Sequence, residues 1–378
     1  MVSAIVTEDF SSRARRAPCE RRLRDRRRHL HALRITKSRL KSTTLKLLGY
    51  ALGAYLVLRL IPGLGEALAA LERVQLAWVL AALALEGLSE TGFVLSWRVI
   101  VDPDRLLGRG ERSKSMDRRV AWAQLGGGTL IPGGSLGGVG FGSVLLHRFG
   151  MPNRLIAERQ FNLSFLNTGV DALALVVFGL VMASGAFGGR HGLTLTLLPA
   201  VVAGAGIAAA LLVARHSSGE RRKDVTHPRL DAALATLAEA VEDTERLLLR
   251  RGSPAALLGA VAYLGFDVLV LWSAFVAIGT QPLPSFPVVL MAYIIGALGG
   301  SLPLPAGLGT IGGMVGMLIL YGVGHSAAVA AVVLYEAVGM LVPLIGGGVA
   351  YLLVRRELRA SHDEQRHAAT GATTALGS

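Results

Sequence analysis

The sequence predicts an all-α polytopic membrane protein, with about six transmembrane helices and two opposed re-entrant hairpins arranged as an inverted-topology repeat. Three observations lead there. Of the 378 residues, 52% are apolar and 17% charged, against about 25% charged in ordinary soluble domains, and the mean hydropathy is +0.51. The chain is nonetheless basic, 39 Lys and Arg against 26 Asp and Glu, and this charge is segregated: residues 1–46 hold 14 of the 39. Apolar stretches then recur at about the 20 residues that a helix needs to cross a bilayer. A soluble enzyme with one core is excluded. So is a disulfide scaffold, because Cys19 is alone.

In chain order, residues 1–44 come first, as a basic cytoplasmic leader. No apolar run begins before about Leu45, whereas a cleaved secretory signal would place one close behind Met1. Leu23, Leu30, Leu33 and Leu40 fall near one stripe of a helix whose other faces are Arg and Lys. That suits an interfacial helix on anionic lipid, where each basic side chain contributes about 1 kcal/mol. A disordered leader that fixes topology fits the same composition. No nucleic acid is expected as a partner, since interleaved aromatics are absent.

The spans follow from about residue 45 to 355. Candidates are 45–61, 74–101, 160–184, 193–214, 253–278 and 325–353, while the apolar stretches 120–147 and 288–323 are interrupted by Pro and Gly. Sidedness follows from basic residues per loop. Segments 1–46, 102–119, 147–159, 215–252 and 354–378 hold 14, 6, 3, 8 and 4; segments 62–73 and 185–192 hold one each, and 279–287 holds none. The basic set is therefore expected in the cytoplasm, with both termini, and the protein in the cell (inner) membrane. Loops 102–119 and 147–159 then share a side, so 120–147 enters and leaves by the cytoplasmic face. By the same logic 288–323 enters and leaves from outside. Non-helical backbone at that depth is tolerated where protein or a water-filled cavity covers it.

Halves 45–184 and 193–353 thus become one unit in two orientations. The hairpin tips share letters: Pro132, Gly133, Gly134 and Gly137 in the first, Pro303, Pro305, Gly307 and Gly309 in the second. Interrupted helices at matching positions of inverted repeats point to a transporter site near the midplane. Close packing of glycine-rich spans is the plainer alternative. Between the halves, the cytoplasmic insertion 215–252 carries Leu230, Leu234, Leu237, Val241 and Leu248 on one helical face. The tail 356–378 reads as disordered.

Charges at membrane depth cost about 2.5 kcal/mol upward, so each needs a partner or a purpose. Glu86 and Glu90 lie one turn apart on one face of the second span, and Asp171, Asp267, Tyr335 and Glu336 occupy three others. Two readings stand side by side. The acids line a polar groove for a lipid headgroup, some protonated or holding a cation; or they hydrogen-bond backbone freed by Pro and Gly. His147 and Arg148, after the first hairpin, either meet a phosphate from the cytoplasmic side or anchor the chain at headgroup level.

The usual catalytic chemistry is missing from the sequence. There is no P-loop Lys, no paired His or Cys at metal spacing, and the glycine series 126–142 lacks the preceding strand of a dinucleotide fold. Ser135 and Ser301 have no evident base. No cofactor, no metal and no enzymatic reaction are expected.

Taken together, Pro132-Gly133-Gly134, Leu146-His147-Arg148-Phe149-Gly150, the run Leu302 to Gly309, Val333-Leu334-Tyr335-Glu336 and Pro343 resemble the flippase-like transmembrane domain of lysylphosphatidylglycerol synthases, over roughly 45–355. The resemblance implies a domain that moves phospholipid or isoprenoid-linked lipid between leaflets, with membrane lipids as partners. A membrane subunit that docks a lipid-modifying enzyme, with the helix expected over 229–250 as its docking surface, is the alternative. Where the family often carries Glu after the second Pro-x-Gly-x-Gly and Arg after the Tyr of the last helix, this chain has Gly312 and Glu336. Aminoacyl-lipid synthesis needs a large soluble acyltransferase domain, and 25 residues after the last span are too few, so that reaction is expected to lie on another polypeptide.

Overall fold

The computed structural model describes residues 74–107, 111–131, 135–185, 192–217, 253–299 and 308–375. The leader, the expected span 45–61, nearly all of the insertion 215–252, and the tip residues Pro132, Gly133, Gly134, Pro303, Pro305 and Gly307 lie outside them. Among the described residues the protein is all helix. Five helices are long and apolar enough to cross a membrane: α1 Leu76–Ile100, α4 Asn153–Ala183, α5 Leu193–Ser217, α6 Ser253–Ala277 and α9 His325–Ala375. Four others pair into helical hairpins, α2 Glu111–Leu130 with α3 Ser135–Arg148, and α7 Phe286–Gly299 with α8 Leu308–Leu320.

Three boundaries differ from the sequence reading. Helix α2 starts at Glu111 rather than near 120, because the charged stretch Glu111–Arg119 forms its first turns. Helix α4 starts at Asn153, directly after Pro152 in extended conformation. The tail expected to be disordered from 356 instead continues α9 to Ala375. Its Glu, Arg, Ala and Gln residues are good helix formers, and no Pro interrupts them. The internal prolines Pro199 and Pro343 leave α5 and α9 continuous, as neighbouring helices allow in membrane spans.

Helices α1 and α6 are antiparallel and form the spine of the bundle. The Gln75 N–H donates to Ala277 O at 3.0 Å, where α1 begins and α6 ends. Further along, Ser89 Oγ donates to Tyr263 O and Ser96 Oγ to Ala256 O, both at 2.8 Å. The backbones touch through Gly92 and Gly259: a Cβ on Gly259 would lie 2.6 Å from Gly92 O. The outer pairs repeat the device. Gly126 of α2 meets Gly347 of α9, and Gly296 of α7 meets Gly313 of α8. Small residues let membrane helices approach this closely where burying apolar surface drives nothing.

The two hairpins end alike. After α3 the chain turns at Gly150 (φ 87°), whose N–H donates to His147 O while the Met151 N–H donates to Leu146 O. After α8 it turns at Gly322 (φ 90°), with Gly322 N–H on Ile319 O and Val323 N–H on Leu318 O. Such left-handed caps satisfy the last helical carbonyls and favour glycine. In each case an aromatic residue, Phe149 or Tyr321, precedes the glycine, and the next helix begins three residues after it.

Polarity runs inward. Leu76, Leu180, Leu198, Val201 and Ile345 face outward, whereas Glu86, Glu90, Gln124, Asn162 and Asp267 are buried. Water would favour the reverse, since unpaired charged side chains are almost never fully buried in soluble proteins. Hydrocarbon favours this arrangement, because polar groups in a bilayer turn toward the bundle interior.

Candidate functional site

Helices α1, α4, α6 and α9 each carry intramembrane acids, and their rotations bring those acids together. Glu86 lies ten residues from the start of α1, and Asp267 ten residues from the end of α6. Those two ends are joined by the Gln75–Ala277 bond. At 1.5 Å per residue each carboxyl is about 15 Å in from that end, which is half the ~30 Å hydrocarbon thickness. Glu336 lies eleven residues into α9, and Asp171 twelve residues before the end of α4. Glu86, Glu90, Asp171 and Glu336 all fall within Coulombic reach of Asp267.

Asp267 is the hub. Tyr293 of α7 donates its hydroxyl to Asp267 Oδ2 at 2.5 Å, and Tyr335 of α9 hydrogen-bonds the same carboxyl. The two rings stand edge to face with centroids 6.0 Å apart. One turn before Asp267, the Tyr263 ring tilts against Phe93 at 5.5 Å. Helix α9 closes the far wall, where a Cβ on Gly339 would lie 3.8 Å from Glu86 Oε1. Glu86, Glu90 and Asp267 are 5%, 4% and 7% exposed. Nevertheless Glu86 Oε2, Glu90 Oε2 and Asp267 Oδ1 are buried with no hydrogen-bond partner among the described residues. Orphaned acceptors of this kind are rare in native interiors and call for a reason.

The structure thus gathers Glu86, Glu90, Asp171, Asp267, Tyr335 and Glu336 into one cluster. It adds Tyr263 and Tyr293, which the sequence reading passed over. The spacing of Tyr263 four residues before Asp267, on one helical face, was a usable signal; Tyr293 had none beyond being a lone hydroxyl in an apolar helix.

His147 and Arg148 stand elsewhere, exposed on the last turn of α3. Of the tip residues, Gly137 is held under Ile131, whose carbonyl would lie 2.8 Å from an added Cβ. Gly309 is half-buried in the first turn of α8. Among the described residues, no three His, Cys, Asp or Glu side chains converge as metal ligands.

A second polar network, also missed from sequence, ties α1 to α2 and α4. Trp97 Nε1 and Gln160 Nε2 both donate to Gln124 Oε1 at 2.9 Å, and Gln124 Nε2 donates to Gln160 Oε1 at 3.1 Å. Gly142 of α3 lies beneath it, where a Cβ would come 2.3 Å from Gln124 Oε1. Nearby, buried Arg159 donates to Val101 O at 2.9 Å and to Asp104 Oδ2 at 2.5 Å. Asp102 accepts from the N–H groups of Leu106 and Leu107. Asp117, early in α2, is raised to about 7 by burial and then by the neighbouring Asp102 carboxyl, against the pull of Arg98 and Arg105.

Residues 46–347 match the model of the family described as lysylphosphatidylglycerol synthase TM region. No curated protein matches the chain.

Proposed function

The chain belongs to the lysylphosphatidylglycerol synthase TM region family, and from that premise we propose that it translocates a phospholipid or an isoprenoid-linked lipid between leaflets without chemically altering it. The observation that carries this reading is the Asp267 cluster: a polar site at mid-depth, inside helices whose outer faces are leucine and valine. A lipid headgroup meets its largest barrier at that depth, and polar side chains there replace the water it gives up. The tails need no such help and stay in the bilayer.

The like caps after α3 and α8, and the glycine approaches inside each hairpin (Gly138 to Gly128, Gly313 to Gly296), support reading the halves as an inverted repeat, with two hairpins dipping in from opposite faces. Basic loops on one side orient the repeat with both termini in the cytoplasm. In that orientation His147 and Arg148 lie at the cytoplasmic rim, suited to a lipid phosphate. The cell membrane is the expected location.

The test uses purified protein in vesicles containing a fluorescent phospholipid. If the protein translocates lipid, a membrane-impermeant quencher added outside also quenches the labelled lipid that started in the inner leaflet, as it is carried outward. Quenching confined to the outer leaflet, as in protein-free vesicles, overturns the reading. A second reading, a membrane subunit that docks a lipid-modifying enzyme, draws on the helical extension of α9 past Arg359 to Ala375. A stable partner recovered from membranes, together with no lipid movement, would favour it.

A further inference from the structure

We infer that the Asp267 cluster is a proton-binding site and that its occupancy is coupled to lipid movement, so that translocation draws on a proton gradient. The coupling rests on the function proposed above; the binding does not.

Every element packed on this part of α6 presents an acid or a phenol to Asp267. Helix α1 presents Glu86 and Glu90, α4 presents Asp171, α7 presents Tyr293, α9 presents Tyr335 and Glu336, and Tyr263 comes from α6 itself. No Lys, Arg or His acts on any of these five carboxyls among the described residues. Five ionised carboxyls at mid-membrane would repel one another with nothing to balance them. The balancing charge has to come from solution.

The open oxygens say where it goes. Glu86 Oε2, Glu90 Oε2 and Asp267 Oδ1 are buried and unpartnered. A metal ion needs several ligands around one point, and no such convergence exists among the described residues. A proton needs one oxygen. The tyrosine hydroxyl on Asp267 Oδ2 orients the carboxyl and leaves Oδ1 to receive it. Hydronium from one aqueous phase transfers its proton to Oδ1, forming an O–H bond and leaving water. Release to water on the other side breaks that bond and restores the carboxylate.

Two measurements test this on the full chain. In vesicles with an imposed pH gradient, coupling of one proton per lipid sustains about a tenfold lipid asymmetry per pH unit; Asp267→Asn should collapse it to an even distribution. Lipid that equilibrates evenly in the wild type despite the gradient overturns the coupling while leaving the proposed function standing. Asymmetry driven by a sodium gradient and not by pH also overturns it. The proton site itself is read without lipid, from the infrared carboxyl band of the protein in detergent between acid and alkaline pH. The expected result is a titrating protonated-carboxyl band that Asp267→Asn diminishes and that Tyr293→Phe, which keeps the carboxyl, moves along the pH axis. A band unaffected by both variants, or none, sinks the site even if lipid moves; no lipid movement with an intact titrating band sinks the transport reading instead.

Discussion

Two buried polar regions share the same bundle and are built in opposite ways. The Trp97–Gln124–Gln160 network closes on itself: Gln124 Oε1 accepts twice, its Nε2 donates, and no atom of either amide is left over. The Asp267 cluster has comparable burial but leaves three carboxyl oxygens open. Neutral amides carry both donor and acceptor and so can satisfy one another, whereas ionised carboxylates only accept. A closed network holds helices in place. An open one at mid-depth leaves room for something that comes and goes.

Substitutions in each region should separate the two roles. The largest effect is expected from Asp267→Asn, which should cut vesicle lipid movement at least as strongly as one lost buried charge-assisted hydrogen bond, a factor of roughly 10 to 100, while thermal stability in detergent changes little. A melting temperature that falls in step with activity would make Asp267 structural. Gln124→Leu should do the opposite. It strands Trp97 Nε1 and Gln160 and costs about 1–3 kcal/mol of stability, measurable as a lower unfolding temperature, with the protein that remains folded still moving lipid.

Gly142→Ala sharpens the same point without removing an amide. The new methyl displaces Gln124 and should destabilise by about 1–3 kcal/mol through overpacking. A neutral result would show that α3 yields at this contact. Smaller still is the pair Arg119–Glu357, which joins α2 to α9 and is partly exposed on both sides. Arg119→Ala should cost no more than about 1 kcal/mol, and raised salt should shrink the difference.

The last prediction concerns pH outside the spans. Asp117 binds its proton more tightly in the folded protein than the ordinary aspartate value of 3.8, holding it to about 7. Its contribution to stability is therefore complete below the unfolded value and is lost as pH rises toward 7. Asp117→Asn should flatten the decline in unfolding temperature between pH 4 and pH 7. An unchanged slope would place the titrating group elsewhere.

Much of the helical layout is legible in one dimension. A span announces itself by length and hydropathy, and α1, α4, α5, α6 and α9 overlap the stretches so marked. The Pro and Gly breaks flagged the two helical hairpins for the same reason. Boundaries were less legible where charged residues extend a helix past its apolar part, at Glu111 and beyond Arg355. The acids of the candidate site could be picked out singly because each is anomalous among apolar neighbours. Tyr263 had a signal in its spacing four residues before Asp267; Tyr293 had none, since a tyrosine in an apolar helix is unremarkable until an acceptor faces it. Gln124 and Gln160, 36 residues apart, were invisible as a pair.

What this chain's sequence determines alone is that it lives in a bilayer, which stretches offer long helices there and which polar side chains they carry, because all of these depend on transfer from water residue by residue. Which of those side chains meet depends on the rotation of each helix about its own axis. That rotation is set by close approaches such as Gly92 on Gly259 and Gly126 on Gly347. Only the tertiary structure decides that acids from three other helices turn toward Asp267, and that the amides of α2 and α4 turn to each other.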